Sequence, residues 1–191
     1  AVHLLKTTES SVDDIAERKL QADEEQVARD GVPPAHGEVA DTLVREQRRG
    51  VEVVQAPAEQ LPFTDAQFDT VVSTLVLCTV NDLARTLSEI RRVLKPGGRL
   101  LFIEHVRSEE PRLAAWQDRL NGLNRIVAHG CNCNRSTLDA IRAAGFTVTS
   151  LEQGNLAKAP PFVRPLIVGT AEAQRRDDAD DEFERSGDVF T

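Results

Sequence analysis

The sequence predicts an α/β fold built on a doubly wound, mostly parallel sheet. Residues 68–77 (FDTVVSTLVL) form a near-continuous apolar run, which is typical of a strand buried on both faces of a sheet. Residues 99–106 contain a second such run, LLFI. Between the two runs, residues 82–94 place apolar side chains at the spacing of an amphipathic helix. Strands that alternate with helices in this way favour parallel pairing.

The first 50 residues give weaker signals and predict an atypical, mainly helical segment. AVHLL at the start fits a short strand. Residues 11–29 and 38–49 have the composition of helices, and GVPPAHG (31–37) between them fits a loop. Residues 51–54 then predict a short β-branched strand.

From residue 81 onward the helix boundaries are well marked. Asn81 or Asp82 can cap a helix that continues to residue 94, and the KPGG sequence at 95–98 stops it. The apolar positions of this helix predict a buried stripe formed by Leu83, Leu87, Ile90, Val93 and Leu94.

The last part of the domain predicts two helices and two strands. Residues 111–123 fit an amphipathic helix, and Ser136 can cap a second helix that Gly145 closes. The apolar side of the first helix consists of Leu113, Trp116, Leu120 and Leu123. Strands are predicted at 147–151 and 165–169, and residues 172–191 have the composition of an acidic, disordered tail.

Charge and composition exclude several classes of function. The net charge is −8, yet residues 51–171 carry 12 acidic and 13 basic side chains, so both ends are acidic and the body is nearly neutral. Nucleic acid is therefore not an expected partner, because phosphate binding needs clustered Lys and Arg. No apolar window is long enough to predict a membrane span. Three Cys and no recognisable leader favour a reduced, cytoplasmic protein.

Four sequence segments, in their order and spacing, resemble class I S-adenosylmethionine (SAM)-dependent methyltransferases over about residues 51–171. They are AEQLPF (58–63), FDTVVSTLVLCTV (68–80), EIRRVLKPGGRLLFIEH (89–105) and AIRAAGF (140–146). VLC, EHV and HGC stand where the type 11, thiol methyltransferase-like branch has them. The resemblance implies a Rossmann-like fold, SAM as cofactor, and SN2 transfer of a methyl group to a small-molecule thiol, hydroxyl, amine or carbon.

Two departures from the family concern the cofactor. The family's Gly-rich SAM loop is not recognisable, since the glycines before Val51 are Gly31, Gly37 and Gly50. Pro57 stands where the family usually has an acidic residue for the adenine amino group. An alternative is therefore a truncated or degenerate protein that does not bind SAM, with a sheet incomplete in its N-terminal half. Such a protein would be a non-catalytic module, or would form a homodimer through the exposed gap in its sheet.

The resemblance also implies site residues. Four positions are expected at the cofactor: Ala58 through its backbone N–H, Glu59 as a displaced acceptor, and Thr74 and Leu75 beside the methionine part of SAM. The expected substrate-facing positions are Cys78, Glu104, Trp116, His129 and Cys131. The side chain of His105 is a candidate general base, with a structural hydrogen-bonding role as the alternative.

The HGCNC sequence raises a metal alternative. His129, Cys131 and Cys133 alternate and can share one face of the chain. A structural zinc site normally needs four ligands at longer spacings. An ordinary loop or the rim of a substrate pocket is therefore the preferred interpretation, and no metal site is predicted.

Overall fold

The computed structural model of the chain describes residues 2–5, 54–128, 130–156 and 159–174. Several predicted segments lie outside these ranges. They are the helices at 11–29 and 38–49, the loop between them, residues 51–53 of the short strand and residues 175–191 of the tail. Val54 is described and has an irregular, exposed backbone position. None of the described helices has the length and apolar character needed to cross a membrane.

The described residues form a five-stranded sheet with the order β1-β2-β3-β5-β4. The strands are β1 (Val2–Leu5), β2 (Phe68–Thr74), β3 (Leu94–His105), β4 (Phe146–Asn155) and β5 (Pro165–Ala173). β2 and β3 are parallel, and β5 runs antiparallel to both β3 and β4. Thus β2, β3 and β4 point in one direction, and the predicted Rossmann-like α/β fold is confirmed. β5 continues to Ala173 and so includes the first two residues of the predicted tail.

β1 lies beside β2, at the place where the sequence predicted a gap in the sheet. It pairs antiparallel with β2, with Val2 opposite Ser73 and Leu5 opposite Thr70. The first residues of the chain thus form a strand, as predicted, and make β2 an interior strand of the described sheet.

Within the described ranges, three helices and one 3-10 turn accompany the sheet. They are α1 (Leu83–Val93), α2 (Pro111–Val127), α3 (Thr137–Ala143) and the 3-10 turn Pro161–Val163. α1 begins as predicted, because an Asp82 carboxylate oxygen accepts a hydrogen bond from the Arg85 backbone N–H at 2.9 Å. It ends one residue before the predicted position, at Val93.

The KPGG segment ends α1 as predicted, yet it also belongs to β3. Phe68 pairs with Leu94 and Thr70 pairs with Arg99, so β3 carries three more residues than β2 between these two pairs. The extra residues form a bulge, and Gly97 within it has a φ of +75°. Glycine suits this position because other residues rarely adopt a left-handed backbone.

The hydrophobic core formed by the described residues has two parts. The main cluster packs α1 and α3 onto the sheet, and residues such as Leu87, Ile90, Phe102 and Ile141 are completely buried in it. A smaller cluster lies beyond the carboxyl ends of β2 and β3. Its members are Leu75, Cys78, Cys131, Leu156, Ala159 and Leu166.

The orientation of α2 differs from the expectation for an amphipathic helix. Trp116 is 62% exposed and Leu123 is 61% exposed, whereas Gln117 and Asn124 are buried. Of the predicted apolar side, Trp116 and Leu123 face away from the described part of the chain, whereas Leu113 and Leu120 are half-buried. A polar stripe faces inward. The amide groups of that stripe have backbone carbonyl partners, as described below.

Close packing at Gly169 in β5 predicts a large effect of one added methyl group. A Cβ built at Gly169 would lie 2.5 Å from the Ser150 carbonyl oxygen and 2.7 Å from the Phe102 ring. We expect Gly169→Ala to lower the free energy of unfolding by about 1–3 kcal/mol, measured by urea denaturation. The control is Gly122→Ala in α2, where the added Cβ has no neighbour within 4 Å. It should stabilise the helix by about 0.5–1 kcal/mol. Equal stability of Gly169→Ala and the unmodified chain would contradict this packing.

Candidate active site at the carboxyl ends of the central strands

A sharp turn follows β2. Leu75 has a φ of +54°, which is unusual for a residue other than glycine, and its backbone N–H donates to the Ile103 carbonyl at 2.8 Å. Such a conformation costs of order 1–3 kcal/mol and persists only where surrounding contacts fix it. The turn directs residues 76–78 back over the ends of β2 and β3, so the strand predicted to continue to residue 77 stops at Thr74.

The buried carboxylate of Glu104 holds this turn. Its Oε1 accepts hydrogen bonds from Ser73 Oγ at 2.8 Å, Val76 N at 3.0 Å and Leu77 N at 2.9 Å. Its Oε2 accepts from Cys78 N at 3.0 Å. Burial raises the pKa of Glu104, and the hydrogen bonds oppose that shift. Because the three backbone groups can only donate, the arrangement matches a carboxylate. Glu104 was predicted to face the substrate, and its carboxylate lies buried beneath the turn.

The polar stripe of α2 fixes the loop that carries Cys131. Asn124 Nδ2 donates to the Cys131 carbonyl at 2.9 Å, and Gln117 Nε2 donates to the Cys133 carbonyl at 2.8 Å. An irregular loop has carbonyl groups without regular partners, and leaving them unpaired when buried is costly. Buried amides on α2 satisfy these groups, which explains why the helix turns its polar side inward.

The same loop is bound to the turn after β2. Asn132 N donates to the Cys78 carbonyl at 2.8 Å. The guanidinium Nη1 of Arg135 donates to the carbonyls of Leu77 at 2.7 Å and Val80 at 2.9 Å. Burial is the largest of the causes that lower the pKa of Arg135. These contacts hold loop and turn in one fixed arrangement.

Cys78, His105 and Cys131 converge within this framework. Cys131 Sγ lies 3.7 Å from Cys78 Sγ and 3.4 Å from His105 Nδ1, and Cys78 Sγ lies 3.9 Å from the same nitrogen. All three side chains are buried. Nε2 of His105 is buried as well and has no hydrogen-bond partner among the described residues.

The two thiols of this cluster differ in acidity. The pKa of Cys131 is lowered to about 5, first by its hydrogen bond with Cys78 and then by His105, against the opposing effect of burial. The pKa of Cys78 is raised, first by the same hydrogen bond and then by burial and the charge of Glu104. Cys131, which lies nearer to the imidazole, therefore carries the negative charge when one of the two thiols ionises.

Cys133 does not join this cluster. Its Sγ lies 3.9 Å from Asn121 Oδ1, and burial raises its pKa to about 11. His129 lies outside the described residues. The metal alternative considered from the sequence combined His129, Cys131 and Cys133. The residues that come together in the described structure are different. Cys131 meets Cys78 and His105 instead.

The expected cofactor positions lie on two segments. Ala58 and Glu59 occupy a turn in which Gln60 N donates to the Pro57 carbonyl at 3.1 Å, while Thr74 and Leu75 end β2. Glu59 Oε1 accepts from Asn81 N at 3.0 Å, so this oxygen already helps to hold the start of α1.

An ion-pair network anchors the loop that continues from this turn. Arg92 binds both carboxylate oxygens of Glu89, at 2.8 and 2.9 Å, and donates to the carbonyls of Phe63 and Leu61 and to Asp65. Glu89 also accepts from Leu61 N at 2.9 Å. The loop at 61–65 is thereby fixed to α1.

Trp116 lies on a separate surface groove of about 310 Å³ between the start of α2 and the 3-10 turn. It is not among the residues that converge around Cys131. The groove is lined by Glu110, Arg112, Leu113, Trp116, Pro161 and Phe162.

Sequence reasoning missed the residues that position the site. Ser73, Gln117, Asn124 and Arg135 were given no role, although each binds a site residue or a neighbouring backbone group. The spacing of Gln117, Asn121 and Asn124 places them on one face of a helix, and this polar stripe was the available signal.

Comparison with known proteins agrees with this architecture. A family model described as "Methyltransferase domain" matches residues 14–102. The human protein named thiol S-methyltransferase TMT1A is 37% identical over 120 residues, which are 62% of this chain and 49% of that protein. The ubiquinone/menaquinone biosynthesis C-methyltransferase UbiE of Hahella chejuensis is 48% identical over 97 residues, 48% of this chain and 39% of that protein. The chain thus spans about half the length, or less, of these curated relatives.

The crystal structure of the YcgJ protein from Bacillus subtilis shares the fold. It superposes with a TM-score of 0.56 at 18% identity, covering 76% of this chain and 81% of that one. Together with the sequence matches, this confirms the class I methyltransferase resemblance predicted from the sequence. The family match begins at residue 14, before the segment from which the resemblance was inferred.

The contacts of Glu104 predict the effect of removing its charge. In Glu104→Gln, the remaining oxygen can keep the donors of Oε1, but an amide N–H then faces the Cys78 N–H. We expect the free energy of unfolding to fall by about 1–3 kcal/mol in urea denaturation. Ser73→Ala, which removes one donor, should cost about 1 kcal/mol. If Glu104→Gln lowered the free energy of unfolding less than Ser73→Ala does, the interpretation that Glu104 holds the turn would be wrong.

The Glu89–Arg92 pair predicts a pH-dependent contribution to stability. Hydrogen bonding to Arg92 lowers the pKa of Glu89 from 4.5 to about 2. The contribution is therefore present above the unfolded-state pKa and is lost as the pH falls from about 5 to about 2. We expect Glu89→Gln to remove about 1–3 kcal/mol of stability at neutral pH and progressively less toward pH 2. Thermal unfolding across this range tests it, with Glu152→Gln on exposed β4 as control. A Glu89→Gln effect that is independent of pH would contradict the assignment.

Proposed function

We propose that this chain, related to class I methyltransferases by sequence and fold, binds SAM and moves its methyl group to a small-molecule nucleophile. The observation that carries the proposal is the convergence of the β2 turn, Glu104, His105 and the Cys131 loop at one edge of the sheet. In open α/β sheets, ligands bind beyond the carboxyl ends of the strands. The family match over residues 14–102 supports the same activity.

In this proposal the cofactor lies across the ends of β2 and the turn at 57–60. Thr74 and Leu75 would flank the methionine part, and the Ala58 backbone N–H would contact the adenine ring. The described residues fit the adenine end of SAM only in part. Pro57 offers no side-chain acceptor for the adenine amino group, and Glu59 Oε1 already accepts a hydrogen bond from Asn81 N. When bound, SAM supplies an electrophilic methyl carbon on a sulfonium.

The acceptor is proposed at the level of a small-molecule nucleophile. One relative is named a thiol S-methyltransferase and another a C-methyltransferase. Similarity to these relatives therefore does not identify the acceptor atom that receives the methyl group. Cys78 and Cys131 would form the inner wall of the acceptor site. The substrate-facing roles of His129 and Trp116 stay predictions from the sequence. A cytoplasmic location accords with the three free Cys.

Positioning accounts for most of the proposed catalysis. The reaction breaks the sulfonium–methyl bond and forms the acceptor–methyl bond, and S-adenosylhomocysteine leaves. Holding the nucleophile, methyl carbon and sulfur in line supplies a large part of the rate enhancement. His105 Nδ1 lies beside the two sulfurs, so Nε2 is the atom through which this ring would accept a proton from the acceptor.

The degenerate alternative makes a different prediction about cofactor binding. In that alternative, a homodimer would form through an exposed gap in the sheet. In the structure, β1 pairs with β2 at the place of this gap. The non-catalytic form of the alternative requires that SAM does not bind. Calorimetric titration of this chain with SAM and S-adenosylhomocysteine separates it from the enzyme.

We expect both ligands to bind with 1:1 stoichiometry and micromolar affinity. Thr74→Leu places a larger side chain at the proposed methionine site and should weaken binding roughly tenfold or more. Thr149→Leu, at an exposed position of β4, is the control and should bind as the unmodified chain does. No binding of a folded sample at millimolar SAM would refute the proposal and favour the degenerate protein.

A further inference from the structure

We propose that Cys78 Sγ, His105 Nδ1 and Cys131 Sγ form a binding site for one Zn²⁺ ion, with a fourth coordination position open. The three atoms lie within 4.8 Å of one another, and all three residues are buried. Two thiolates and an imidazole are ligands that zinc favours, and they occur together in catalytic zinc sites.

The distances between the ligand atoms match three edges of a zinc coordination tetrahedron. Zn–S bonds of about 2.3 Å and Zn–N bonds of about 2.0–2.1 Å require S···S of about 3.8 Å and S···N of about 3.5 Å. The observed S···S distance is 3.7 Å, and the S···N distances are 3.4 and 3.9 Å. An ion can therefore enter with small movements of the side chains.

The backbone that carries each ligand is fixed by contacts that do not involve the cluster. Cys78 N is bound by Glu104, and the Cys78 carbonyl is bound by Asn132 N. The Cys131 carbonyl is bound by Asn124, and His105 ends a paired strand opposite Leu166. Such preorganisation favours metal binding, because little ordering remains to be done when the ion arrives.

Zinc would also give the two thiols and the imidazole a stronger partner than the weak hydrogen bonds that they make with one another. Thiols are weak donors and acceptors, and both cysteines are packed in an apolar cluster with Leu75, Leu156 and Leu166. Zinc binds both cysteines as thiolates, and two thiolates and one Zn²⁺ sum to zero formal charge. A neutral centre of this kind can be buried without an uncompensated charge.

The fourth position distinguishes this site from a closed structural one. No fourth His, Cys, Asp or Glu of the described ranges joins the group. A zinc with three protein ligands keeps one position for water or for a ligand such as a thiol. If Nδ1 binds zinc, the neutral ring carries its hydrogen on Nε2, so His105 cannot also act as the general base. An acceptor thiol bound at the metal would lose its proton there. This last step rests on the proposed function, whereas the metal site does not.

Metal content and spectroscopy test the site without an activity assay. The reduced, chelator-treated chain is loaded with ZnCl₂ or CoCl₂ and freed of excess metal. We expect about one ion per chain, sulfur-to-cobalt charge-transfer bands with Co²⁺, and two sulfur neighbours at about 2.3 Å in zinc X-ray absorption. Cys78→Ser and Cys131→Ser should each lower the zinc affinity at least about tenfold. Cys133→Ser, in the same loop and also buried, should bind as the unmodified chain does.

Three results would overturn the site. One is a folded, reduced chain that retains no zinc. Another is equal loss of zinc in Cys133→Ser and Cys131→Ser. The third is a disulfide between Cys78 and Cys131 that re-forms promptly after reduction and persists when zinc is present. If the serine variants fail to fold, the count of sulfur neighbours in the unmodified chain decides. Zinc binding without SAM binding would refute the proposed function and leave the metal site standing.

Discussion

The carboxylate of Glu104 is the contact on which the site depends. It joins β3, the end of β2 and the turn at residues 76–78 through four hydrogen bonds. Without an acceptor at this place, three backbone N–H groups would be left unpaired and the left-handed conformation of Leu75 would lose its compensation. The same turn places Cys78 against His105, which directly follows Glu104 in the sequence. The structural carboxylate of Glu104 and the imidazole of the Cys78–His105–Cys131 cluster are therefore consecutive on β3.

The second constraint is the buried, irregular loop that carries Cys131. Its carbonyl groups are paired by Gln117 and Asn124, so α2 presents its amides to the interior. The same helix exposes Ile126 and Val127 at 80% and 68%. Hydrophobic periodicity alone predicts the opposite orientation, because it assumes that the neighbouring element offers an apolar surface. Here the neighbour offers carbonyl oxygens, and hydrogen bonding decides which side of the helix is buried.

Local signals predicted most of the described helices and strands and singled out Cys78, His105 and Cys131 one by one, yet they did not predict how these three meet. The apolar run of β2, the Asp82 cap and the KPGG stop depend on neighbours in sequence, and the structure has each of them. Cys78, His105 and Cys131 were each identified, but with separate roles. Their contacts join residues 26 to 53 positions apart, and they depend on the Leu75 turn, which no local pattern indicated. The antiparallel direction of β1 is likewise set by pairing with β2.

Charge balance links the carboxylate to the metal site. Arg135 reaches over the turn, its guanidinium bound to the Leu77 carbonyl, and it interacts electrostatically with Glu104 and with both cysteines of the cluster. An ionised Glu104 and a protonated Arg135 cancel formally, so the remaining charge is that of the cluster. Two thiolates, Zn²⁺ and an imidazole ligand also sum to zero formal charge. A zinc ion bound by these three side chains therefore adds no uncompensated charge beside Glu104 and Arg135.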